Sequence, residues 1–311
     1  MSKILLTGGS GYIGSILTEE LLKAGHRVRV LDNFMHGQIS LAHLMHSPDL
    51  EILRGDTRNE EALAKALKDI DIVIPLAAIL GALVCDRDQI GAHTTNLGAI
   101  ETLLKLRKPE QKIIYPNTNS GYGVGQNDTF CDENTPLNPI SIYGRTKVAA
   151  EKAVLEAGNS MAFRLATVFG VSPRMRIDLL VNDFVHRAVM DRFIVLFQAH
   201  FKRNYIHVRD VARAYLHAIE HFDTMKGQAY NLGLSDANLN KKELCEAIQK
   251  HLPDFYFVEA EIGEDPDKRN YIVSNEKVEK TGFKPAYSLD FGIAELIKFY
   301  RTIKHWPYGN Q

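Results

Sequence analysis

Residues 4–14 have the sequence ILLTGGSGYIG, a short apolar run that passes into glycines at positions 8, 11 and 14. Apolar residues at helical spacing follow as far as Leu22. A strand, a glycine turn and a helix in this order predict a dinucleotide-binding unit. Gly8 permits the tight turn, Gly11 lets backbone N–H groups approach a pyrophosphate, and Gly14 lets the helix pack on the strand. The competing interpretation is an ordinary glycine-rich turn.

An acidic residue closes the second predicted strand. Asp32 lies 18 residues after Gly14, close to the spacing of about 20 at which a carboxylate binds the adenosine ribose. A carboxylate here accepts hydrogen bonds from the ribose 2′-hydroxyl and repels a 2′-phosphate. Because Asn33 follows instead of a basic residue, the sequence predicts NAD rather than NADP. A helix N-cap at the strand end is the alternative explanation for Asp32.

Strand and helix signals alternate through the first half of the chain and less regularly afterwards. This order predicts an α/β fold, a Rossmann-type doubly wound parallel sheet with a smaller C-terminal substrate lobe. We assign the NAD-binding domain to residues 1–170 with a return segment at about 204–235, and the substrate lobe to residues 171–203 and 236–311. After the first strand, the predicted strands are 28–32, 50–56, 71–78, 112–116, 161–168 and 204–208, and the predicted helices are 59–67, 95–106, 177–190, 211–222 (capped by Asp210), 241–251 and 289–303.

Composition excludes several other classes of protein. The 311 residues are 45% hydrophobic and 24% charged, and 37 basic against 38 acidic residues give a net charge of -1. We therefore expect neither a nucleic-acid nor a membrane partner. We expect no signal peptide, and no apolar run approaches the roughly 20 residues of a membrane span. Three scattered cysteines predict free thiols and a cytoplasmic location.

A possible catalytic set follows the fifth predicted strand. Tyr143 and Lys147 are four residues apart, on one face of a helix. A phenol has a pKa of about 10, and a neighbouring ammonium group lowers it toward the range of a useful base. The Thr118 hydroxyl can orient the same substrate oxygen. A second such pair, Tyr300 and Lys304, lies far from any nucleotide signal, and we interpret it as structural.

These motifs together resemble the extended short-chain dehydrogenases/reductases of the NAD-dependent nucleotide-sugar epimerase/dehydratase family. The resemblance rests on the glycine pattern, the interval from Thr118 to Tyr143, the sequence PLNP at 136–139 and the sequence RNYIHV at 203–208. It covers nearly the whole chain and implies catalytic roles for Thr118, Tyr143 and Lys147. The cofactor-binding residues that it implies are Gly8, Gly11, Tyr12, Ile13, Gly14, Asp32, Asn33, Asp56, Thr57, Leu76, Ala77, Ala78, Asn96, Tyr143 and Lys147.

The resemblance also implies a sugar-nucleotide substrate. Arg203 and Arg269 correspond to the two arginines that hold the diphosphate in this family, and charge-assisted pairs suit that group. Surface ion pairs are the alternative for both arginines, and a surface helix start is the alternative for the segment 174–184. The implied substrate-binding residues are Asn119, Ser120, Arg174, Arg176, Asn182, Arg203 and Arg269.

The reaction outcome stays open at this point. Relatives that eliminate water carry an acid pair directly after the threonine, and Asn119 and Ser120 stand there instead, which argues against a 4,6-dehydratase. Residues 115–123 and 263–269 most resemble bacterial GDP-heptose 4-dehydrogenases of capsule biosynthesis. The alternatives are an NAD-dependent nucleotide-sugar 4-epimerase resembling UDP-glucose 4-epimerase, with a UDP-sugar as substrate, and a non-catalytic protein that senses NAD or a sugar nucleotide. The resemblance further implies a homodimer formed by the helices after Thr95 and Tyr143.

One further pattern points to a different kind of site. His217, Glu220 and His221 match the H-x-x-E-H zinc pattern. The aliphatic positions of an amphipathic helix are enough to explain this stretch, so we expect no metal.

Overall fold

The computed structural model describes residues 1–37, 39–125, 129–263 and 269–303. The strands are β1 Lys3–Thr7, β2 Arg27–Asp32, β3 Leu50–Arg54, β4 Ile72–Pro75, β5 Lys112–Thr118, β6 Phe130–Cys131, β7 Ser160–Leu165, β8 Thr167–Phe169, β9 Phe193–Leu196, β10 Lys202–His207, β11 Ala229–Leu232, β12 Asn238–Asn240, β13 Tyr256–Glu259 and β14 Ile272–Val273. The helices are α1 Tyr12–Lys23, α2 Glu60–Leu67, α3 Ala82–Arg87, α4 Gln89–His93, α5 Ala99–Leu106, α6 Ile142–Glu156, α7 Leu180–Met190, α8 Val208–Glu220, α9 Phe222–Met225, α10 Lys241–His251, α11 Glu276–Glu279 and α12 Leu289–Thr302. Short 3₁₀ turns lie at Ala42–Leu44 and Asn119–Tyr122, and a π-helical turn lies at Thr94–Gly98.

The central sheet has seven parallel strands in the order β11-β7-β5-β4-β1-β2-β3. From β1 the chain builds outward to β2 and β3, and then crosses back to β4 on the other side of β1. The strand order therefore reverses at β1, and a crevice opens there at the carboxyl edge, where ligands bind in such folds. The predicted doubly wound parallel sheet is confirmed.

Both faces of this sheet are covered, which is why its strands are continuously apolar. Ile4 and Leu6 of β1 face one hydrophobic cluster, whereas Leu5 faces the other. The first cluster includes α1 and α8, which pack against each other. The second lies under α2, α5 and α6. This two-sided burial fixes the carboxyl end of β1, and hence the glycine turn that follows it.

In the part of the chain that the structure describes, three smaller sheets lie outside the central sheet. β8 pairs in parallel with β10, and β12 is antiparallel to β10 on its other side. β9 pairs with β13, and β6 pairs with β14. The segment predicted to return to the first domain supplies α8 and the outermost central strand, β11. Within the described ranges, no helix combines the length and the apolar character that crossing a bilayer requires.

Several sequence predictions differ from the observed elements. The strand predicted at 161–168 is two strands, because the chain leaves the central sheet at Ala166 and β8 then joins β10. The helix predicted from 211 begins at Val208, with the His207 side chain as its cap. Asp210 instead accepts backbone N–H bonds from Ala286 and Tyr287, both at 2.9 Å. β11 was absent from the predicted strands, since four residues carry little periodicity.

Candidate active site

The glycine turn is closed by the backbone alone. Gly8 has a φ of +72°, and a Cβ there would lie 2.7 Å from the backbone nitrogen of Ala77. A Cβ on Gly14 would lie 2.3 Å from the Gly8 carbonyl oxygen. The Gly11 N–H donates to that same carbonyl at 3.0 Å. Side chains at positions 8 and 14 would therefore displace the turn, and the result is an open cradle at the N-terminus of α1.

Asp32 is held directly beside this cradle. Its carboxylate accepts the Ser10 N–H at 3.0 Å and the Phe34 N–H at 2.8 Å. The side-chain oxygen of Asn33 accepts the Met35 N–H at 3.0 Å, so the residues after β2 fold into a tight turn. Two backbone donors thus fix the orientation of Asp32, as a ribose-binding carboxylate requires.

A second carboxylate lies at the end of the neighbouring strand. The Arg58 guanidinium donates to both oxygens of Asp56, at 2.9 and 2.6 Å, and this pairing lowers the pKa of the Asp56 carboxyl group. The Asn33 side chain is close enough to Asp56 to contribute to this lowering of the pKa. Thr57 is buried. The residues predicted for the ribose and the adenine are therefore neighbours.

The segment after β4 lines the other side of the cradle. The Leu76 N–H donates to the Thr7 carbonyl at 2.9 Å, and the Ala77 N–H lies 3.3 Å from the Thr7 hydroxyl. Ala78 follows, partly exposed. Asn96, within the π-helical turn, accepts the Ile79 N–H at 2.8 Å and donates to the Ile79 carbonyl at 2.9 Å. The Asn96 side chain therefore holds the backbone of Ile79 in place.

The catalytic set lies where β5 meets α6. The Ser141 side chain caps α6 and so places Tyr143 and Lys147 on successive turns of one face. Thr118 ends β5, its hydroxyl is hydrogen-bonded to Ser120, and it lies close enough to the Tyr143 phenol to act on its pKa. Burial raises the pKa of Tyr143, while Arg176, Arg269 and the Thr118 hydroxyl act to lower it. The structure thus brings the predicted set together.

Lys147 sits in an unusual environment for an amine. Its Nζ lies 4.2 Å from the centre of the Tyr115 ring, and the residue is 4% exposed. Burial lowers the pKa of Lys147 to about 7, against the opposing effect of Glu151 one turn further along α6. Glu151 is itself buried, paired with Arg164 at 2.8 Å and hydrogen-bonded to the Asn117 amide. The cation of the set therefore has a pKa near neutrality.

Four of the predicted substrate residues, Ser120, Arg176, Arg203 and Arg269, are linked to the catalytic set. The Arg269 guanidinium donates to the Ser120 hydroxyl, beside Thr118. The Arg203 guanidinium donates to the Arg269 carbonyl, so the two predicted diphosphate arginines are adjacent. Arg176, paired with Asp178, is close enough to Tyr143 to act on its pKa.

Asn119 follows Thr118 and is 1% exposed. Within the described ranges, neither its amide nitrogen nor its amide oxygen has a hydrogen-bond partner. Such atoms are uncommon in a folded protein, and each calls for an explanation such as a bound molecule.

Two predicted substrate residues lie elsewhere. Arg174 lines a small cavity at the glycine turn together with Gly11 and Asp32. Asn182 is completely buried, and its amide binds the Gly170 N–H at 3.0 Å and the Arg176 carbonyl at 2.8 Å. These contacts stabilise the loop that precedes α7. A substrate role for Asn182 stays a prediction that these contacts do not support.

The predicted cofactor residues Tyr12 and Ile13 open α1. Ile13 is partly exposed at the cradle, whereas Tyr12 is buried and its hydroxyl donates to the Gly170 carbonyl at 2.7 Å. Burial raises the pKa of Tyr12, so the phenol stays protonated as a donor. Only the backbone of Tyr12 therefore remains for a cofactor.

Sequence reasoning missed several residues of the site. A Cβ on Gly9 would lie 2.7 Å from the Val30 side chain, so this glycine is as constrained as the predicted ones. Arg58 had a detectable signal, since it follows Asp56 by two residues. The pairing of Glu151 with Arg164 had none, because the two residues lie on different elements. Lys304, and residues 264–268 of the loop that resembles GDP-heptose 4-dehydrogenases, lie outside the described residues.

Local contacts explain the histidines of the H-x-x-E-H pattern at 217–221. The His217 Nε2 atom lies 2.9 Å from the Thr281 hydroxyl, and the His217 and His221 rings are 4.3 Å apart. Across the described ranges, no group of three possible ligands is placed to hold a metal ion. Cys85, Cys131 and Cys245 are free and buried.

A cradle that excludes side chains, an oriented ribose carboxylate and a Thr-Tyr-Lys set define an NAD-dependent oxidoreductase-type site on a Rossmann-type fold. Residues 4–233 match the NAD dependent epimerase/dehydratase family. The chain belongs to that family, which confirms the predicted enzyme class and cofactor.

Known proteins support this assignment. The chain is 30% identical over 317 residues to the UDP-glucose 4-epimerase of Halalkalibacterium halodurans, with 91% of each sequence covered. The crystal structure of UDP-glucose 4-epimerase from Thermotoga maritima has a TM-score of 0.86 at 23% identity, covering 97% of this chain and 100% of that one. UDP-glucuronic acid 4-epimerase from Bacillus cereus, in complex with UDP-glucuronic acid and NAD, has a TM-score of 0.84 at 24% identity, covering 97% and 99%. At these identities the two structures establish a shared fold.

Proposed function

We propose that this protein oxidises a nucleotide sugar at C4, with GDP-D-glycero-D-manno-heptose as the favoured substrate and a 4-keto sugar nucleotide as the product. The observation that carries the proposal is that Thr118 and Arg269 are both hydrogen-bonded to Ser120 and both lie close enough to the Tyr143 phenol to act on its pKa. A proton acceptor and an anion-binding group thus share one pocket. The product would serve capsule or other surface polysaccharide synthesis.

The chain's own residues would prepare the C4 hydroxyl for oxidation. Tyr143, as phenolate, accepts the hydroxyl proton while the Thr118 hydroxyl hydrogen-bonds the same oxygen and orients it. Lys147 in its charged form favours the phenolate. When bound, NAD supplies reversible acceptance of the hydride that leaves C4. Since burial raises the pKa of Tyr143, the positive charges of Arg176 and Arg269 are needed to offset it.

The diphosphate would bind the two adjacent arginines. Arg203 is 4% exposed and spans from β10 to the Arg269 backbone, and Arg269 reaches Ser120 next to the catalytic threonine. Charge-assisted bonds of this kind are about twice as strong as neutral ones. The preference for a GDP-heptose rests on the resemblance of residues 115–123 and 263–269.

A 4-epimerase is the second candidate. It would use the same site, with the ketone turning over and the hydride returning to its opposite face. The identity of 30% to a UDP-glucose 4-epimerase favours this outcome and a UDP-sugar substrate. A protein that only senses NAD or a sugar nucleotide is less well supported, because a sensor needs no proton acceptor at Tyr143.

Product analysis separates these outcomes. The purified protein is incubated with GDP-heptose and, separately, with UDP-glucose, while nicotinamide absorbance and the sugar NMR spectrum are followed. A 4-keto sugar with stoichiometric cofactor reduction supports the dehydrogenase. Inversion of the configuration at C4 without net reduction of NAD would contradict the dehydrogenase and support the 4-epimerase. If neither sugar nucleotide is changed but NAD binds saturably, the protein that only senses NAD or a sugar nucleotide is the remaining candidate.

We also propose a homodimer built on α5 and α6 in the cytoplasm. The outward side chains of α6 include Arg145 and Ala149, which are exposed in the single chain. Sedimentation velocity on the wild-type protein and on an Ala149→Glu variant tests the interface. If the variant forms the same dimer as the wild-type protein, α6 is not part of the interface.

A further inference from the structure

The glycine turn is faced by a charged side chain from the substrate lobe. A small cavity beside the turn is lined by Ser10, Gly11 and Asp32 together with His36 and Arg174. Arg174 belongs to the loop between β8 and α7, more than 160 residues away in sequence. The cavity lies where the pyrophosphate and the adenosine ribose of a dinucleotide meet in this type of turn.

The Arg174 guanidinium is buried and incompletely bonded. The residue is 4% exposed, and its Nη1 donates to the Met175 carbonyl at 3.2 Å. Within the described ranges its Nε has no hydrogen-bond partner. Asp32 does not neutralise it by a direct ion pair, since the Asp32 carboxylate is bonded to the Ser10 and Phe34 N–H groups. A buried cation with an unused donor is costly unless an anion completes its bonding.

We propose that Arg174 is a cofactor ligand, whose guanidinium binds the pyrophosphate oxygens of NAD from the side opposite the glycine turn. This assignment moves Arg174 from the substrate set, where the family resemblance placed it, to the cofactor set. The planar guanidinium can donate two parallel hydrogen bonds to a phosphate group. The inference rests on the NAD site and is independent of which sugar nucleotide is the substrate.

The same loop also carries a residue that faces the chemistry. Arg176 lies two positions further on, pairs with Asp178 and acts on the Tyr143 phenol. A single short loop would therefore bind the cofactor at Arg174 and border the reacting sugar at Arg176. This arrangement supplies a matched control, because the two arginines share the loop and the charge, but only Arg174 lines the cavity beside the glycine turn.

The test is the affinity for NAD of the full-length, cofactor-free protein, measured by isothermal titration calorimetry. We expect R174M to raise the Kd for NAD about tenfold or more, since a hydrogen bond to a charged group is lost. R176M should change it by less than about twofold, because Arg176 is paired with Asp178 and does not line the cavity. ADP-ribose should show the same loss as NAD in R174M, whereas adenosine should bind both proteins equally.

Three results would overturn the proposal. These are an unchanged Kd for NAD in R174M, an equal loss in R176M, or an equal loss of adenosine affinity, which would place Arg174 at the ribose. If R174M does not fold, R174K takes its place. Lysine keeps the charge but cannot bind two oxygens in parallel, so the Kd should rise by roughly threefold to tenfold. An unchanged Kd in R174K would then refute the pyrophosphate contact.

Discussion

Replacing the catalytic lysine should make the cofactor-free protein more stable. In Lys147→Met, an apolar side chain of similar length takes the place of a buried amine that lies 4.2 Å from the Tyr115 ring centre. Burial lowers the pKa of Lys147 to about 7 from its usual 10.5. The folded protein therefore resists protonation of this group, and the unfolded chain does not.

The sign and size follow from proton linkage. Between about pH 7 and about pH 10.5 the unfolded chain binds a proton at this lysine that the folded chain lacks, so stability rises with pH in this window. Below about pH 7 the whole penalty is present. Each pKa unit corresponds to about 1.4 kcal/mol, and allowing for partial relaxation we expect a penalty of roughly 2–5 kcal/mol. Lys147→Met should remove it.

The assay is urea denaturation of both proteins without NAD, at about pH 6 and about pH 10. We expect the variant to be more stable at the lower pH and the difference to shrink at the higher pH. Lys277→Met is the control, because burial also lowers the pKa of Lys277 but its Nζ donates to the Ala229 carbonyl at 2.8 Å. The control should not gain stability. If Lys147→Met were no more stable than wild type at about pH 6, or if the gain did not depend on pH, the reasoning would be refuted.

Three further predictions concern the site. Tyr143→Phe should lower kcat by about 10²–10⁴ while NAD binding persists, measured by steady-state kinetics and calorimetry, and wild-type turnover would rule out the phenol as proton acceptor. Gly14→Ala should abolish NAD binding, because its Cβ would lie 2.3 Å from a carbonyl oxygen, whereas Gly98→Ala, with its nearest atom at 3.9 Å, should bind normally. Arg164→Met should cost about 3–5 kcal/mol of unfolding free energy by stranding the Glu151 carboxylate, and adding Glu151→Gln should recover part of it, as urea denaturation would show.

Local patterns were sufficient to predict the geometry of the glycine turn and the position of Asp32 beside it. The glycines and Asp32 act through backbone geometry and strand ends, which periodicity and spacing report directly. The pairing of Tyr143 with Lys147 was equally accessible, since four residues on a helix fix their relative positions. These features depend on neighbours in sequence, and the structure places them as expected.

The directions of side chains at long range could not be predicted in the same way. Arg174 and Arg176 are two residues apart, yet Arg174 lines the cavity at the glycine turn, and Arg176 pairs with Asp178 and lies close enough to Tyr143 to act on its pKa. Asn182 was assigned to the substrate, but it braces Gly170. The break at Ala166 depends on which partner strand is nearer, and that is a tertiary contact rather than a local preference.

The contacts of Tyr12 bear on how the chain folds as it is synthesised. Its hydroxyl donates to the Gly170 carbonyl at 2.7 Å, and its own carbonyl accepts the Ser172 hydroxyl at 2.7 Å. These partners leave the ribosome roughly 160 residues after the helix they stabilise, so the start of α1 stays incomplete through half of translation. A nascent chain that ends before Gly170 should therefore hold NAD poorly. The first turn of the protein to be made is among the last to become functional.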